Sequence, residues 1–498
     1  MPRSSAARWP VLLALVLLTA AACAASAAPL APIAPVSPAA PTAPVAAAAP
    51  AVPAAPAASQ AGDARPILQA FFAEADAAKR AEIAARFAAV APKSWDDLKA
   101  LLHATAARQP LAPGRQKFET KGDADVPAVK YVLRVPDNYQ ADAPHGWPLI
   151  ITCHGTGGNA DGALATLESW LGSDAGNFLL AAAESPQPGV YEATRVTVEY
   201  PLRVLDDIRH RANVDSDRTI LTGVSRGGYT AWGTVLFSPG EWAGAVPIAS
   251  FPLTEARVEG ATLYLPNVLN LWIQAHWGAT DIEAGQKEGI ATISRDVAAE
   301  MKRLNAKKFE GIEYPGEGHD VRVKADRFRE FAATALPGGS STRRDPWPLE
   351  CRLIFHRLYE GRDYYVRAIA TARDEFDFRA KRVLTITRKE DLARAKRALY
   401  LNEGYELTGR MVPAQNLVAV LARNIREVEV ELSAERLDFT RPVRITANSR
   451  TVQEGLRKVD WVELLETARR TYDFERLVAG RVRVTVPGAG TPPASKTK

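Results

Sequence analysis

A serine stands in the middle of a glycine-rich turn, Gly223-Val224-Ser225-Arg226-Gly227. The segment before it, Arg218 to Thr222, is mostly apolar and β-branched, which is typical of a buried strand, and the residues from Tyr229 onward can form a helix. A strand, a G-x-S-x-G turn and a helix in this order predict a nucleophile elbow, in which a strained turn projects the serine hydroxyl beyond the sheet. The alternative is an ordinary glycine-rich turn between a strand and a helix, since so short a motif also occurs by chance.

An activated serine needs a general base, and in such sites a histidine after the final strand supplies it. The chain has seven histidines. Only His319 follows the last predicted strand, 311–314, and a short turn. We therefore predict that His319 is the base. The alternative is an ordinary loop histidine, because geometry rather than chain order defines a triad.

A second glycine-rich turn, HGTGG at 154–158, follows an apolar strand. An oxyanion hole needs two convergent N–H groups, and the N–H of Arg226 is one by its position after Ser225. The second turn can supply the other and lets the backbone approach a substrate closely. A phosphate-binding loop is the rival interpretation, but the turn lacks the G-x-x-x-x-G-K-[ST] pattern. The predicted substrate-binding residues in the turn are His154, Gly155 and Gly157.

Strands and helices alternate along the chain between residues 113 and 338. These elements must position Ser225, His319 and the turn at 154–158. This alternation predicts an α/β fold with a mainly parallel sheet, helices on both faces and right-handed crossovers. Reactive groups then collect at the carboxyl ends of the strands. The predicted strands lie at 117–120, 129–134, 149–153, 178–183, 218–222, 245–248, 269–273 and 311–314.

The order of these motifs resembles the α/β-hydrolase fold, and in particular secreted esterases of the polyhydroxyalkanoate-depolymerase and feruloyl-esterase type, including prolyl-oligopeptidase-like esterase domains. The resemblance spans about residues 113–337 and is carried by HGTGG at 154–158, NVDSDRTILTGVSRGG at 213–228, HWGATD at 276–281 and GEGHD at 316–320. It implies that Ser225 is the nucleophile, that Thr156 supplies an N–H of the oxyanion hole, and that Asp281 is the acid that orients the histidine.

The sequence departs from the family pattern near this acid. Trp277 separates His276 from the Gly-x-x-Asp run, where the family has an H-G-x-x-D-like run. Glu283 is therefore the alternative acid, whereas Asp320 is too close to His319 to orient its ring easily. His276 is expected to be structural.

Together these residues predict a serine ester hydrolase that forms an acyl-enzyme, with no metal or organic cofactor. The predicted substrate is a small-molecule or polymeric ester. Two alternatives are a serine peptidase of the prolyl-oligopeptidase-like type and a non-catalytic envelope binding protein on a hydrolase fold, because a fold does not fix a function.

Two features bear on the substrate. The cationic side chain of Arg226 beside the nucleophile could select an acidic substrate, or it could pair with a nearby carboxylate. The stretch 251–267 between two core strands is short, so any lid is small. An open site of this kind suits bulky or polymeric substrates.

The chain begins with a pattern typical of export. Arg3 and Arg8 precede an apolar run at 11–18 and small residues through Ala28, which predicts a cleaved signal. A lipobox-like alternative would lipidate Cys23 and tether the chain to a membrane, but plain export is favoured. The predicted organisation is an export signal at 1–28, an Ala/Pro-rich linker at 29–62, a helical segment at 63–112, a catalytic domain at 113–338, a β-rich α+β accessory domain at 346–488 and a flexible tail at 489–498.

Composition narrows the class of protein further. The 498 residues carry a net charge of only +5, and 47% of them are hydrophobic. Without a long basic run, nucleic acid is an unexpected partner. Three cysteines, one of them in the leader, exclude a disulfide framework and allow one bridge at most.

Overall fold

The computed structural model describes residues 61–282, 289–339, 342–384, 386, 388 and 391–488. The predicted export signal, nearly all of the Ala/Pro-rich linker, the tail and the alternative acid Glu283 lie outside these residues. The described residues belong to one compact unit, Ala57–Lys498. Among them, no helix combines the length and the apolar character needed to cross a membrane.

An eight-stranded sheet organises the residues from 114 to 314. Its strands are β1 (Gly114–Glu119), β2 (Lys130–Val135), β3 (Trp147–Cys153), β4 (Leu179–Ala183), β5 (Val214–Val224), β6 (Gly244–Ile248), β7 (Trp272–Gly278) and β8 (Phe309–Tyr314). They pair in the order β1-β2-β4-β3-β5-β6-β7-β8. Strand β2 is antiparallel to both neighbours, and all the other pairs are parallel. The mainly parallel α/β-hydrolase sheet predicted from the sequence is confirmed.

Helices cover both faces of this sheet. The helices among the described residues are α1 (Ala61–Ala73), α2 (Ala77–Ala88), α3 (Trp95–Thr105), α4 (Ala160–Leu171), α5 (Arg195–Arg211), α6 (Arg226–Phe237), α7 (Gly289–Arg303), α8 (Ala325–Ala333), α9 (Leu392–Glu403) and α10 (Trp461–Thr471). Successive side chains of a strand point to opposite faces of the sheet, and β4 contributes to the core on each face in this way. Its Leu179 and Ala181 belong to the core under α5, α6 and α7, and its Leu180 belongs to the core under α4 and α8.

One predicted strand begins later than expected. The strand predicted at 269–273 begins at Trp272, because residues 265–268 form a short 3-10 turn. The side-chain amide of Asn267 donates to the carbonyl oxygens of Leu236 and Ile354, both at 2.9 Å. These bonds stabilise a turn at the position where the sequence predicted an extended strand.

The carboxy-terminal region is rich in strands, as predicted. The strands are β9 (Glu350–Phe355), β10 (Arg362–Asp363), β11 (Val366–Thr371), β12 (Tyr405–Val412), β13 (Leu417–Arg423), β14 (Ile425–Leu432), β15 (Val443–Ala447), β16 (Arg450–Gly455) and β17 (Gly480–Thr485). They form a four-stranded sheet, β10-β11-β14-β17, and a five-stranded sheet, β16-β15-β13-β12-β9. Alternate residues of both sheets bury into one shared apolar core.

Long-range contacts join this region to the rest of the chain. Helix α10 packs against α1, α2 and α3 in a single apolar core. The buried side chain of Arg344 bonds Asp473 through both terminal nitrogens, each at 2.8 Å, and bonds Asp217 at 2.9 Å through Nε. His103 of α3 is buried too, and its Nδ1 lies 2.7 Å from Asn213 Oδ1.

The two cysteines among the described residues do not pair. Cys153 lies in β3 and Cys351 in β9, and both are buried free thiols. Burial in apolar surroundings raises the pKa of the Cys153 thiol to about 12. Cys153 therefore behaves as a small buried apolar residue, as expected from its place in a central strand.

Candidate active site

Ser225 occupies a strained turn between β5 and α6. Its φ of 54° and ψ of −119° are unusual for a residue with a side chain, and such a conformation costs on the order of 1–3 kcal/mol. Its N–H donates to Ile248 of β6 at 2.9 Å. Neighbouring glycines make the turn possible, because a Cβ at Gly227 would lie 1.9 Å from the carbonyl oxygen of Cys153. Strand β3 and helix α6 therefore approach each other more closely than any side chain at position 227 allows.

His319 lies in the loop after β8, with its ring between Ser225 and Asp281. Its Nε2 is 2.8 Å from Ser225 Oγ, and its Nδ1 is 3.0 Å from Asp281 Oδ2. The structure thus brings together the three side chains that the sequence and the resemblance singled out. This arrangement can remove a proton from the serine hydroxyl while a carboxylate holds the imidazole in the required tautomer.

The loop that carries Asp281 is fixed directly to the loop that carries His319. The N–H and the hydroxyl of Thr280 both donate to the carbonyl oxygen of Glu317, at 2.9 and 2.8 Å. A Cβ at Gly278 would lie 2.2 Å from the carbonyl oxygen of Gly318, so only glycine permits this approach. The separation between acid and base is therefore set by backbone contacts.

The extra residue Trp277 is accommodated within the strand. Strand β7 continues through Trp277 to Gly278, and the Trp277 side chain is buried against Gly311 of β8. His276 is also buried, with Nδ1 2.9 Å from the Tyr314 hydroxyl and Nε2 3.0 Å from Gln274 Oε1. His276 thus supports the sheet beneath the acid loop, as its expected structural role requires.

The turn at 154–158 forms a wall beside Ser225. A Cβ at Gly155 would lie 3.6 Å from Ser225 Cβ. The N–H of Thr156 has no hydrogen-bond acceptor among the residues that the structure describes. Arg226 is the first residue of α6, where a helix supplies no acceptor for the N–H. Both predicted oxyanion donors flank the serine, and within the part of the chain that the structure describes neither N–H has a backbone acceptor.

The turn's other predicted substrate-binding residues differ in position. His154 and Gly155 line the cleft above Ser225, whereas Gly157 is not among the lining residues. His154 is 8% exposed, and its Nε2 lies 3.0 Å from Glu184 Oε2. Much of the His154 ring is therefore engaged within the protein.

The Arg226 side chain does not reach a substrate. It is 2% exposed and its Nη2 lies 3.0 Å from His154 Nδ1, beneath the turn. It is absent from the described residues that line the cleft. Neither suggested role for this side chain, contact with an acidic substrate or pairing with a nearby carboxylate, matches the contacts.

The cleft above Ser225 has a volume of about 1270 Å³. Its lining includes the rings of Trp170, Tyr191 and Tyr229 and the carboxylates of Glu192 and Asp320. None of the three aromatic residues was predicted from the sequence to line the site. Tyr191 follows β4, so the tendency of functional groups to lie after the carboxyl ends of strands could have identified it.

Within the described residues, no group of three His, Cys, Asp or Glu side chains is arranged to hold a metal ion.

No family model and no curated protein matches this chain. Solved structures with similarity include a thermostable esterase, at 20% identity and a TM-score of 0.32, covering 40% of this chain and 54% of that one. A poly(3-hydroxybutyrate) depolymerase from Bordetella parapertussis has 18% identity and a TM-score of 0.36, covering 45% and 92%. The feruloyl esterase module from Clostridium thermocellum has 13% identity and a TM-score of 0.34, covering 51% and 93%. At these identities and scores, the similarity carries no conclusion about activity.

Proposed function

We propose that the protein is a serine hydrolase that cleaves carboxylic esters through an acyl-enzyme. The observation that carries the proposal is the contact of His319 Nε2 with Ser225 Oγ at 2.8 Å, while Nδ1 of the same ring faces Asp281 Oδ2 at 3.0 Å. A serine, a base and an orienting acid in this relation are the parts that acyl transfer requires.

In the proposed first half-reaction, His319 Nε2 accepts the Ser225 proton as Oγ attacks the ester carbonyl carbon. The carbonyl oxygen becomes an oxyanion, which the N–H groups of Thr156 and Arg226 stabilise. The tetrahedral intermediate then collapses, the bond from carbon to the alkoxy oxygen breaks, and His319 returns its proton to the leaving alcohol. Asp281 stabilises the transient imidazolium without accepting the proton.

In the second half-reaction, water replaces the alcohol. His319 removes a proton from water, the hydroxide attacks the acyl carbon, and collapse releases the acid and restores the Ser225 hydroxyl. Every proton in the cycle passes through His319 Nε2, so no further acid or base is required.

A fluorophosphonate probe tests this proposal, because it phosphonylates only an activated serine. The protein without residues 1–28 should be labelled, and the Ser225→Ala variant should not. Hydrolysis of p-nitrophenyl esters of graded acyl length, measured beside matched p-nitroanilides, then separates esterase from peptidase activity. No labelling of a folded, monodisperse wild-type protein would exclude the proposed mechanism and favour a binding role.

We also propose that the chain is exported and that its leader is removed. The charged start, apolar run at 11–18 and small residues through Ala28 support this. Mass spectrometry of the mature amino terminus tests it. A terminus soon after Ala27 is expected, whereas a diacylglyceryl group on Cys23 would establish a lipoprotein instead.

A further inference from the structure

We propose that the side chain of Arg226 is a positioning residue for the oxyanion hole. The side chain fixes the turn at 154–158, which carries the N–H of Thr156. The backbone N–H of Arg226 itself is the other donor of the oxyanion hole. This inference rests on the proposed function. It assigns the side chain a role different from substrate recognition.

The contacts of the guanidinium lead directly to the turn. Arg226 Nη2 lies 3.0 Å from His154 Nδ1 and 3.4 Å from the Gly155 carbonyl oxygen, and Nη1 lies 3.5 Å from the Gln187 carbonyl oxygen. Because Nη2 carries two hydrogens, it can donate to the Gly155 carbonyl oxygen while it contacts the His154 ring. One side chain thus joins the turn at its first two residues to the chain that follows β4.

The His154 ring extends this connection. His154 Nδ1 also lies 2.8 Å from the Gly155 carbonyl oxygen, so the ring contacts both the guanidinium and the backbone of the turn. Nε2 faces Glu184 Oε2 at 3.0 Å, and Glu184 Oε1 accepts the N–H of Ala160 at 2.7 Å, at the start of α4. The connected series from Arg226 through His154 to Glu184 therefore fixes the turn just before its first glycine and just after its last.

The turn's own backbone bond runs from the Gly158 N–H to the Gly155 carbonyl oxygen at 3.1 Å, and the residues between them are open to solvent. Residues 156–158 are exposed, and Gly157 has a φ of +75°. Glycines offer no side chains to pack and cost the most conformational entropy to order. On the exposed side, the hydroxyl of Thr156 lies 2.8 Å from that of Tyr191. The buried contacts come from Arg226 and His154.

The charge of Arg226 argues against a role in stability alone. The guanidinium is buried, and among the described residues it forms no ion pair with a carboxylate. Burying a charge costs free energy unless bonds compensate it, so an apolar side chain of similar length would stabilise the fold better. The arginine is therefore best explained by what it does for the turn.

The test compares Arg226→Met with Arg218→Met, a matched control. Arg218 donates to backbone carbonyls too, those of Ala335 and Leu336, but lies in β5 well before Ser225. The backbone N–H at 226 survives the substitution, so any loss measures the side chain. Hydrogen exchange of a peptide covering 152–160 should be faster in Arg226→Met and unchanged in Arg218→Met.

Turnover gives the second readout. We expect kcat of Arg226→Met on a p-nitrophenyl ester to fall about 10- to 100-fold, since small misplacements in an active site cost up to about 100-fold, while KM changes less than about twofold. Arg218→Met should lose thermal stability but keep its kcat. Arg226→Lys keeps one donor and should be intermediate. It also replaces Arg226→Met in both readouts if that variant does not fold.

Unchanged exchange at 152–160 would overturn the proposal, and so would faster exchange with kcat intact. A rise in KM at constant kcat would assign the side chain to substrate binding instead. A wild-type protein that hydrolyses no ester and takes no fluorophosphonate overturns the proposed function. In that case the exchange result still decides whether Arg226 holds the turn.

Discussion

Asp281 and His319 differ sharply in exposure although they are in direct contact. The Asp281 carboxylate is fully buried, whereas 21% of the His319 side chain is exposed. The acid therefore faces the imidazole rather than solvent, and the exposed part of the ring is available to the cleft. This is the arrangement in which an acid orients the base without exchanging protons with water.

The Asp281→Asn variant should keep its fold and lose nearly all turnover. An asparagine can present its N–H₂ to Nδ1 and stabilise the wrong tautomer, which lowers kcat by about 10⁴-fold in a comparable triad. Steady-state kinetics on a p-nitrophenyl ester, with circular dichroism to verify folding, provides the measurement.

Two further variants separate Asp281 from the rival acids. Asp320→Asn and Glu283→Gln should each keep kcat within a few-fold of the wild type. If Glu283→Gln lost as much activity as Asp281→Asn, the acid would be shared or wrongly assigned. Activity in Asp281→Asn near the wild-type level would exclude Asp281.

Gly227→Ala should not fold normally. The added methyl would lie 1.9 Å from the carbonyl oxygen of Cys153 in β3, and backbone cannot move aside as a flexible side chain can. We expect a loss of about 3 kcal/mol or more in the free energy of unfolding, since overpacking a core usually costs 1–3 kcal/mol. Urea unfolding, or soluble yield if the protein aggregates, measures the loss.

Gly176→Ala is the matched control, because nothing lies within 4 Å of the position that its added methyl would take. It should unfold at nearly the wild-type urea concentration. A Gly227→Ala protein of ordinary stability with full activity would mean that β3 and α6 are farther apart than described.

The sequence was sufficient to predict the parts of the site that depend on local order. Ser225 is identified by the motif around it, and His319 by its place after the last strand. The prediction of Asp281 depended on the resemblance to the family, because Trp277 separates His276 from the Gly-x-x-Asp run that contains Asp281. The structure explains the shift, since Trp277 lies within β7 and leaves the loop after Gly278 in contact with the His319 loop.

The unpredicted features depend on residues far apart in the chain. The burial of Arg226 follows from its contacts with His154, 72 positions earlier, and no local pattern distinguishes it from an exposed arginine. The same holds for the buried face of α10, which carries Leu464, Leu465 and Ala468. Helices α1 to α3 cover that face, so the segments that seemed separable share a core.

Arg344→Met should destabilise the protein more than most single changes. Burial alone would raise the pKa of Asp473, but Arg344 and Arg209 hold it well below its usual range. Burial raises the pKa of Asp217 to about 6, although Arg344 opposes this. Removing Arg344 leaves both carboxylates buried with a main partner lost, which typically costs about 3–5 kcal/mol. Urea denaturation at pH 7 measures the change.

The adjacent residue supplies the control. The Arg343 side chain is 55% exposed and lies 3.4 Å from Asp217, so Arg343→Met should cost less than about 1 kcal/mol. Combining Arg344→Met with Asp473→Asn should recover part of the loss, since one buried charge is then absent. Equal effects of the two arginine variants would show that the buried pair contributes no more than an exposed one.

His276 should make the protein sensitive to acid. Burial lowers the pKa of His276 from 6.5 to about 3, with a smaller contribution from Arg327. The unfolded chain therefore binds a proton between these values while the folded protein does not, so stability falls as the pH drops below 6.5 and levels off near 3. The slope approaches about 1.4 kcal/mol per pH unit within that window.

His276→Gln should reduce this slope when urea unfolding is measured from pH 7 to pH 4, because glutamine can bond Tyr314 without titrating. His356→Gln is the companion variant. Burial lowers the pKa of His356 only to about 4, so its removal should flatten the curve less and over a narrower range. If His276→Gln kept the wild-type dependence of stability on pH, the His276 imidazole of the wild type would have to be protonated in the folded protein. Its contact with Gln274 would then be a hydrogen bond donated by a cation.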